Sequence, residues 1–200
     1  MSIKNNYFTR LTPNFNNWEK PSGAEGKCGV NDSNSALYEA HNYFGWEEWL
    51  FEDYVTNQDN PDKECFGFIE AFNDKNKKND FIDRLYLYTK ICRNNQNIKP
   101  GCYYVGFIDN VKRLKSPLPK TQNQVCQDLK TVGINHDNYI PMLKKAKNIS
   151  FKVKDVHFLF KTRNQSSIMI PLHRGQYRFG LYNLETHTNF LSQNNINNSL

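Results

Sequence analysis

Beyond residue 60, short segments rich in aromatic and β-branched residues alternate with segments rich in asparagine, aspartate, glycine and proline. This alternation is typical of strands separated by turns. It predicts strands at residues 65–72, 81–91, 103–114, 150–160 and 177–182. The turn residues between the first three of these segments suit short reversals of the chain. The spacing therefore predicts an antiparallel sheet or barrel.

A helical segment interrupts this series between the third and fourth predicted strands. We predict a helix at residues 122–132, with Thr121 as the candidate N-cap and Gly133 where the helix ends. A second short helix is predicted at residues 138–145, with Pro141 in its first turn. The predicted fold class is α+β, a small and mostly antiparallel β-barrel with peripheral helices.

The remaining segments carry weaker patterns. Prolines and glycines interrupt residues 1–35, which predicts loops with one short strand around Trp18, and a short helix is predicted at residues 36–40. Residues 46–51 form an aromatic cluster that fits either a helical turn or a strand. After Leu184 the sequence is polar without a pattern. We expect one domain over residues 1–184 and a flexible tail over residues 185–200.

Charge divides the chain into two unlike halves. Residues 1–100 contain 12 Lys/Arg and 15 Asp/Glu, whereas residues 101–200 contain 14 and 5, and the net charge is +6. A basic region with interleaved aromatic residues is typical of proteins that bind nucleic acid. No apolar run approaches the roughly 20 residues of a membrane span, and the N-terminus lacks the apolar stretch of a signal peptide. We expect a cytoplasmic protein without a membrane partner.

The residues that usually carry catalysis form no recognisable signature. The five cysteines include no CxxC pair and suit reduced thiols, and the five histidines show no metal-ligand spacing. No metal and no cofactor are predicted. The sequence favours a binding module over an enzyme. The alternative is a small metal-dependent nuclease in which four carboxylates converge on a metal, namely Asp53, Asp62, Glu64 and Glu70.

Two glycine-containing segments invite closer comparison. Gly23, Gly26 and Lys27 resemble part of a phosphate-binding loop, but the glycine spacing and the cysteine after the lysine do not fit one. We interpret the segment as a flexible turn in which Lys27 can still contact a phosphate. Gly106 interrupts a predicted core strand, where it indicates a bulge or a point of close packing.

The aromatic cluster at residues 46–51 has two interpretations. Most clusters of this density are core, because each ring buries a large apolar area. Glu47 and Glu48 lie between Trp46 and Trp49, however, so part of the segment is expected to face water or a ligand. An aromatic wall beside a carboxylate can stack an extruded base and hydrogen-bond its edge. Both interpretations remain open at this point.

The basic residues that lie at predicted strand ends and loops are the better candidates for phosphate contacts. They include Lys112, Arg113, Arg174 and Arg178. Residues 173–178 combine a glycine with two arginines and Tyr177, so this loop is suited to clamp a backbone and stack on a base.

Three motifs resemble a known family. They are Tyr86-Leu-Tyr-Thr, Tyr104-Val-Gly-Phe-Ile-Asp-Asn-Val and, after the helical insert, Phe151-Lys-Val-Lys-Asp-Val-His-Phe. In order and in sequence they resemble the core of PUA-like domains of the EVE and ASCH kind. The stretch from Trp18 through Lys27 to Phe51 also resembles an N-terminal segment found with nuclease-associated domains in bacterial restriction systems.

The resemblance implies a nucleic-acid-binding domain that recognises a modified base by flipping it into an aromatic pocket. DNA is implied more strongly than RNA, with a nuclease or NTPase as partner, and an RNA-binding PUA-like protein is a further possibility. The implied pocket residues are Trp46 and Trp49 with Glu47 or Glu48, and Tyr104 lies on one of the matching strands. The implied phosphate contacts are Lys112, Arg113, Arg174 and Arg178.

Overall fold

The computed structural model describes residues 5–28, 43–73, 80–92, 98–118, 122–134, 147–158, 169–170 and 180–184. Its strands in these ranges are β1 (Asn6–Leu11), β2 (Glu64–Gly67), β3 (Phe81–Ile91), β4 (Gly101–Leu118), β5 (Lys147–Lys152), β6 (Val156–Phe158), β7 (Met169–Ile170) and β8 (Tyr182–Asn183). Its α-helices are α1 (Glu52–Thr56) and α2 (Gln122–Thr131), and 3-10 turns occur at Trp46–Trp49, Glu70–Asn73 and Val153–Asp155.

The strands form one sheet in the order β2-β5-β4-β3-β1-β8, with β6 and β7 also paired to β4. β1 and β3 are parallel, and the other pairs are antiparallel. The predicted α+β class with a mostly antiparallel sheet is therefore confirmed. In the described ranges no pairing joins β2 to β8, so the sheet is not closed and the barrel is not confirmed.

The long strand β4 organises the sheet. β3 pairs along one side of it, while β5, β6 and β7 follow one another along the other side. Between β5 and β6 the chain forms the 3-10 turn Val153–Asp155 and does not pair with β4. Beside this turn, Asn110 of β4 has a φ of +54°. The Asn110 side-chain amide donates a hydrogen bond to Asp155 Oδ1 at 3.1 Å. This contact fixes the turn against the irregular point of β4.

Gly106 confirms the prediction of a bulge and close packing. The register between β3 and β4 shifts after Leu87, the partner of Gly106, and Gly106 has a φ of +152°. A Cβ atom at this position would collide with the carbonyl oxygen of His157 on β6. Glycine is therefore needed for β6 to approach β4.

The two faces of the sheet differ in chemistry. Side chains alternate between faces along a strand, and the inner face contributes to the main core. Leu85 and Leu87 of β3 belong to this face, as do Val105 and Ile108 of β4. The opposite face, which we call the outer face, carries charged side chains and a second buried cluster of aromatic side chains. They include Arg84, Tyr86, Tyr88, Tyr104, Phe107 and Lys112.

Several predicted elements differ from those observed. The strand expected around Trp18 is wrong, because Trp18 lies in a turn with a φ of +56° and is fully buried. The strand in this region is β1, which pairs with β3. Of the two structures predicted for residues 46–51, the helical turn is observed, at Trp46–Trp49, whereas the strand predicted at residues 150–160 is divided by a 3-10 turn. The helices expected at residues 36–40 and 138–145 and the tail lie outside the described residues.

The expectation of reduced cysteines is wrong for one pair. Cys28 and Cys92 form a disulfide that joins the segment after β1 to the end of β3. The backbone N–H of Cys92 also donates to the carbonyl of Gly26 at 2.9 Å. Cys65, Cys102 and Cys126 are thiols. Because such disulfides are rare in reducing compartments, the disulfide does not favour the cytoplasmic prediction.

Candidate nucleic-acid interface

Glu48 is the centre of a buried polar network. Its side chain is fully buried, and its Oε1 lies 3.0 Å from the Lys27 ammonium and accepts from the N–H of Gly45 at 3.0 Å. Its Oε2 accepts from Asn14 Nδ2 and from the N–H of Ser22, both at 2.8 Å. Both carboxylate oxygens are therefore occupied by protein donors.

Glu47 has a similar structural role. It is 3% exposed, and its carboxylate accepts from Thr12 Oγ1 at 2.8 Å and from the N–H of Glu70 at 3.1 Å. With Glu48 it fastens the segment after β1 to the 3-10 turn Trp46–Trp49. The expectation that the two glutamates face water or a ligand is therefore not met.

The two tryptophans differ in exposure. Trp49 is 3% exposed, and its indole N–H donates to Asp128 of α2 at 2.6 Å. It belongs to a core cluster with Phe44 and residues of α2. Trp46 is half-buried, and its ring centroid lies 5.6 Å from that of Trp49. Trp46 alone of the four expected pocket residues keeps substantial exposure, and its role as a base contact stays a prediction.

Lys27 and Tyr104 are also buried. The Lys27 ammonium is held between Glu48 and the carbonyl of Gly23, which leaves it no access to a phosphate in this conformation. Tyr104 lies in the aromatic cluster of the outer face with Tyr86 and Phe107. Burial raises the pKa of its hydroxyl, which has no hydrogen-bond partner among the described residues.

Lys112 lies at a surface pocket, which we call the outer-face pocket, of about 360 Å³. The strand register explains how it assembles. Phe81 of β3 is opposite Lys112 of β4, Lys112 is opposite Ser150 of β5, and Lys152 of β5 is opposite Glu64 of β2. Directly paired residues point to the same face. The lining residues are Glu64, Phe81, Asn110, Lys112, Ser150, Phe151, Lys152, Lys154 and Asp155.

The pocket combines three lysines and two carboxylates, Glu64 and Asp155, with an exposed ring. Phe81 is 39% exposed, and Lys112, Lys152 and Lys154 are exposed. Asp62 lies 2.7 Å from the Lys154 ammonium and 3.4 Å from that of Lys152, and the hydrogen bond from Lys154 is the main reason why the pKa of Asp62 is lowered. Such exposed ion pairs contribute little stability. The two lysines can therefore exchange Asp62 for a phosphate at low cost.

The other expected phosphate contacts are not brought to this pocket. Arg113 is half-buried and follows Lys112, so the alternation of β4 directs it away from the pocket, toward the side of its partner Ile149. Arg174, Tyr177 and Arg178 lie outside the described residues. Of the candidates at strand ends, Lys112 is the one that the described structure places at the pocket.

A second group on the outer face was not predicted from the sequence. The Phe107 ring stacks on His157 of β6 with centroids 4.2 Å apart and an interplanar angle of 17°, and the Arg84 guanidinium lies 4.0 Å from the Phe107 centroid. Asp109 accepts from Arg84 Nε at 2.6 Å and from Nη2 at 3.0 Å. This hydrogen bonding is the main reason why the pKa of Arg84 is raised. We call Arg84, Phe107 and His157 the outer-face stack.

The carboxylates required by the nuclease alternative are engaged separately. Asp53 pairs with Lys147 at 2.7 Å and accepts from the N–H of Phe66 at 3.0 Å. Glu70 accepts from the Asn73 side chain at 3.2 Å. Over the described ranges, no three histidine, cysteine or carboxylate side chains are grouped so that they could hold a metal ion. The four carboxylates are thus not assembled into one site there.

The chain matches no protein-family model, and comparisons with curated proteins and with solved structures found no match. No helix in the described part is long and apolar enough to cross a bilayer. The geometry of the outer face is therefore the main guide to function. Lysines provide donors for phosphate oxygens, and exposed rings provide stacking surfaces for bases.

Proposed function

We propose that the protein is a nucleic-acid-binding module that contacts its ligand through the outer-face pocket. The observation that carries the proposal is the convergence of Lys112, Lys152 and Lys154 with the exposed ring of Phe81 on one pocket. The lysines come from β4, β5 and the turn after β5, within the basic half of the chain. They supply affinity for phosphates, while Phe81 supplies a surface on which a base stacks.

The pocket also suits the recognition of a base. Its volume lies within the range of about 300–1,000 Å³ that is usual for small-ligand pockets. Glu64 and Asp155 line it beside the lysines, so hydrogen-bond acceptors and donors are both present for a base edge. An extruded base can therefore be held by stacking and by edge contacts at the same time.

The finer identity rests on the sequence resemblance. We propose a PUA-like module in which the open sheet forms the wall of a small barrel, and which reads a modified base in DNA within a restriction system. In this proposal a nuclease or NTPase partner supplies cleavage or movement. Trp46 remains the half-exposed aromatic candidate of the originally expected pocket. RNA is the competing ligand and is distinguished by experiment.

The test is a titration of fluorescein-labelled 20-nucleotide DNA and RNA, single-stranded and duplex, with and without a modified cytosine, at several NaCl concentrations. We expect the logarithm of the binding constant to fall linearly with the logarithm of salt concentration. The triple variant K112A/K152A/K154A is expected to bind more weakly and to reduce the slope by about one for each phosphate that a lysine no longer neutralises.

The matched control is Lys130→Ala, which removes an exposed lysine from α2 instead. It should bind like the wild type apart from a small change in long-range attraction. Binding that is independent of salt, or a triple variant that binds as well as the control, would contradict the proposal.

A further inference from the structure

The outer-face stack is an ordered column of three planar groups. Phe107 of β4 lies between Arg84 of β3 and His157 of β6, which flank it on opposite sides. A ring has only two faces, and both partners lie within 4.2 Å of the ring centroid. Phe107 therefore carries the guanidinium on one face and the imidazole on the other.

Asp109 holds this column in place. It accepts two hydrogen bonds from Arg84, and its Oδ2 lies 3.7 Å from His157 Nε2. The side chains of Arg84 and His157 are 33% and 45% exposed, so both ends of the column reach the surface, while Phe107 between them is 4% exposed. Because its groups are fixed before a ligand arrives, little conformational entropy remains to be lost on binding.

His157 leaves one end of the column open. Its side chain is 45% exposed although Phe107 covers one face of the imidazole. The exposed area therefore lies on the parts of the imidazole ring that face away from Phe107. Histidine rings presented in this way are surfaces on which single-stranded bases stack.

The column and the outer-face pocket lie on the same face of the sheet. Phe107 and Lys112 each stand next to a residue of the main core on β4, Ile108 and Val111 respectively, and so both point to the opposite face. Phe107 and Lys112 are five residues apart on β4, a distance of about 16 Å along the strand. Stacked nucleotides advance by only about 3.4 Å each along a nucleic-acid strand. A single base therefore cannot contact both the column and the outer-face pocket.

We infer that the ligand is a single-stranded stretch of DNA or RNA that lies along the outer face of β4. One base stacks on His157, a second stacks on Phe81, and the lysines of the outer-face pocket hold the phosphates. A duplex can extrude a single base, but it keeps its other bases stacked on one another and cannot offer bases to both rings. The inference rests on the proposed function and assigns to it a ligand class and a second contact site.

The test compares His157→Ala, Phe81→Ala and the wild type by fluorescence anisotropy with labelled dT12, U12 and a 12-base-pair duplex at fixed salt. Loss of one base–aromatic stack weakens binding by about 5- to 150-fold. We expect such a loss in each variant with a single strand and retention of binding in His157→Phe, which keeps a ring. Tyr43→Ala is the control, because Tyr43 is 51% exposed and lies in none of the strands of the sheet. The DNA and RNA strands show which sugar is preferred.

A measurement on the unsubstituted protein covers the case in which a variant fails to fold. Diethyl pyrocarbonate should modify His157, and saturating dT12 or U12 should protect it, as followed by peptide mass spectrometry. Equal affinity for duplex and single strand, no protection of His157, or a loss in His157→Ala no greater than in Tyr43→Ala would each overturn the inference. If single strands bind with the expected salt dependence in such a case, the proposed function survives. If the wild type binds no nucleic acid, the proposed function itself fails.

Discussion

Replacing Glu48 with glutamine separates a structural role for this residue from a role in reading a base. Glu48 is fully buried and faces the Lys27 ammonium at 3.0 Å, and Lys27 is itself 2% exposed. Glutamine keeps the shape but removes the charge, so a buried ammonium is left without its counter-ion. Asn14 Nδ2 and the N–H groups of Ser22 and Gly45 all donate hydrogen bonds to Glu48. The NH2 group of the new glutamine would face these donors and could not accept a hydrogen bond from them.

The expected loss of stability is large. Breaking a buried ion pair by removing one partner costs about 3–5 kcal/mol, most of it from the stranded charge. With a urea m-value of about 2 kcal/mol/M, the unfolding midpoint should fall by about 2 M. Adding Lys27→Met to Glu48→Gln removes the stranded charge, so the double variant should be more stable than Glu48→Gln alone.

The assay is urea unfolding followed by tryptophan fluorescence and circular dichroism. Asp59→Asn is the control, because replacing this exposed carboxylate should change the unfolding free energy by no more than about 0.5 kcal/mol. A Glu48→Gln protein as stable as this control that nevertheless lost selectivity for a base would refute the structural role.

Three further predictions concern the fold. The Cys28–Cys92 disulfide should appear in non-reducing peptide maps, and C28S/C92S should lower the unfolding free energy by about 4 kcal/mol for a sequence separation of 64; a map without the linked peptide contradicts it. Gly106→Ala should melt well below the wild type in calorimetry because its Cβ meets β6, and an unchanged melting temperature would show that β6 does not approach so closely. Burial raises the pKa of Cys65 to about 11 from 9.0, so the neutral thiol is favoured in the folded state. The contribution of the Cys65 thiol to the unfolding free energy is complete below pH 9 and is lost as the pH rises toward 11. Iodoacetamide at pH 8 should therefore leave this thiol unmodified in the folded protein. Rapid alkylation of the folded protein would contradict this prediction.

Local patterns predicted the elements whose signals lie within one segment. β3 has the predicted bounds of residues 81–91, because its apolar and aromatic residues stand between turn residues. α2 ends close to the expected residue, and Gly133 follows it with a φ of +73°. β1 was not predicted, because residues 6–11 are a short segment among polar residues. They form a strand because they pair with β3.

The site depends more on long-range placement. Glu48 looks like a surface residue in sequence, and it is buried because Asn14, Ser22 and Lys27, distant in the chain, supply donors. The Cys28–Cys92 pair likewise has no local motif. The pocket becomes apparent only from the sheet register, because Phe81 and Lys112 are opposite each other on the neighbouring antiparallel strands β3 and β4. Sequence pattern identified Lys112 as a candidate phosphate contact but not its partners.

The most direct test of nucleic-acid binding on the outer face is photocrosslinking. A single-stranded oligonucleotide that carries 5-iodouracil is irradiated with the wild-type protein at low salt, and the attached peptides are mapped by mass spectrometry. We expect attachment to peptides that contain Phe81 or His157, two exposed rings of this face. Attachment confined to other parts of the chain, or no attachment under conditions in which a known single-strand-binding protein reacts, would contradict nucleic-acid binding on this face.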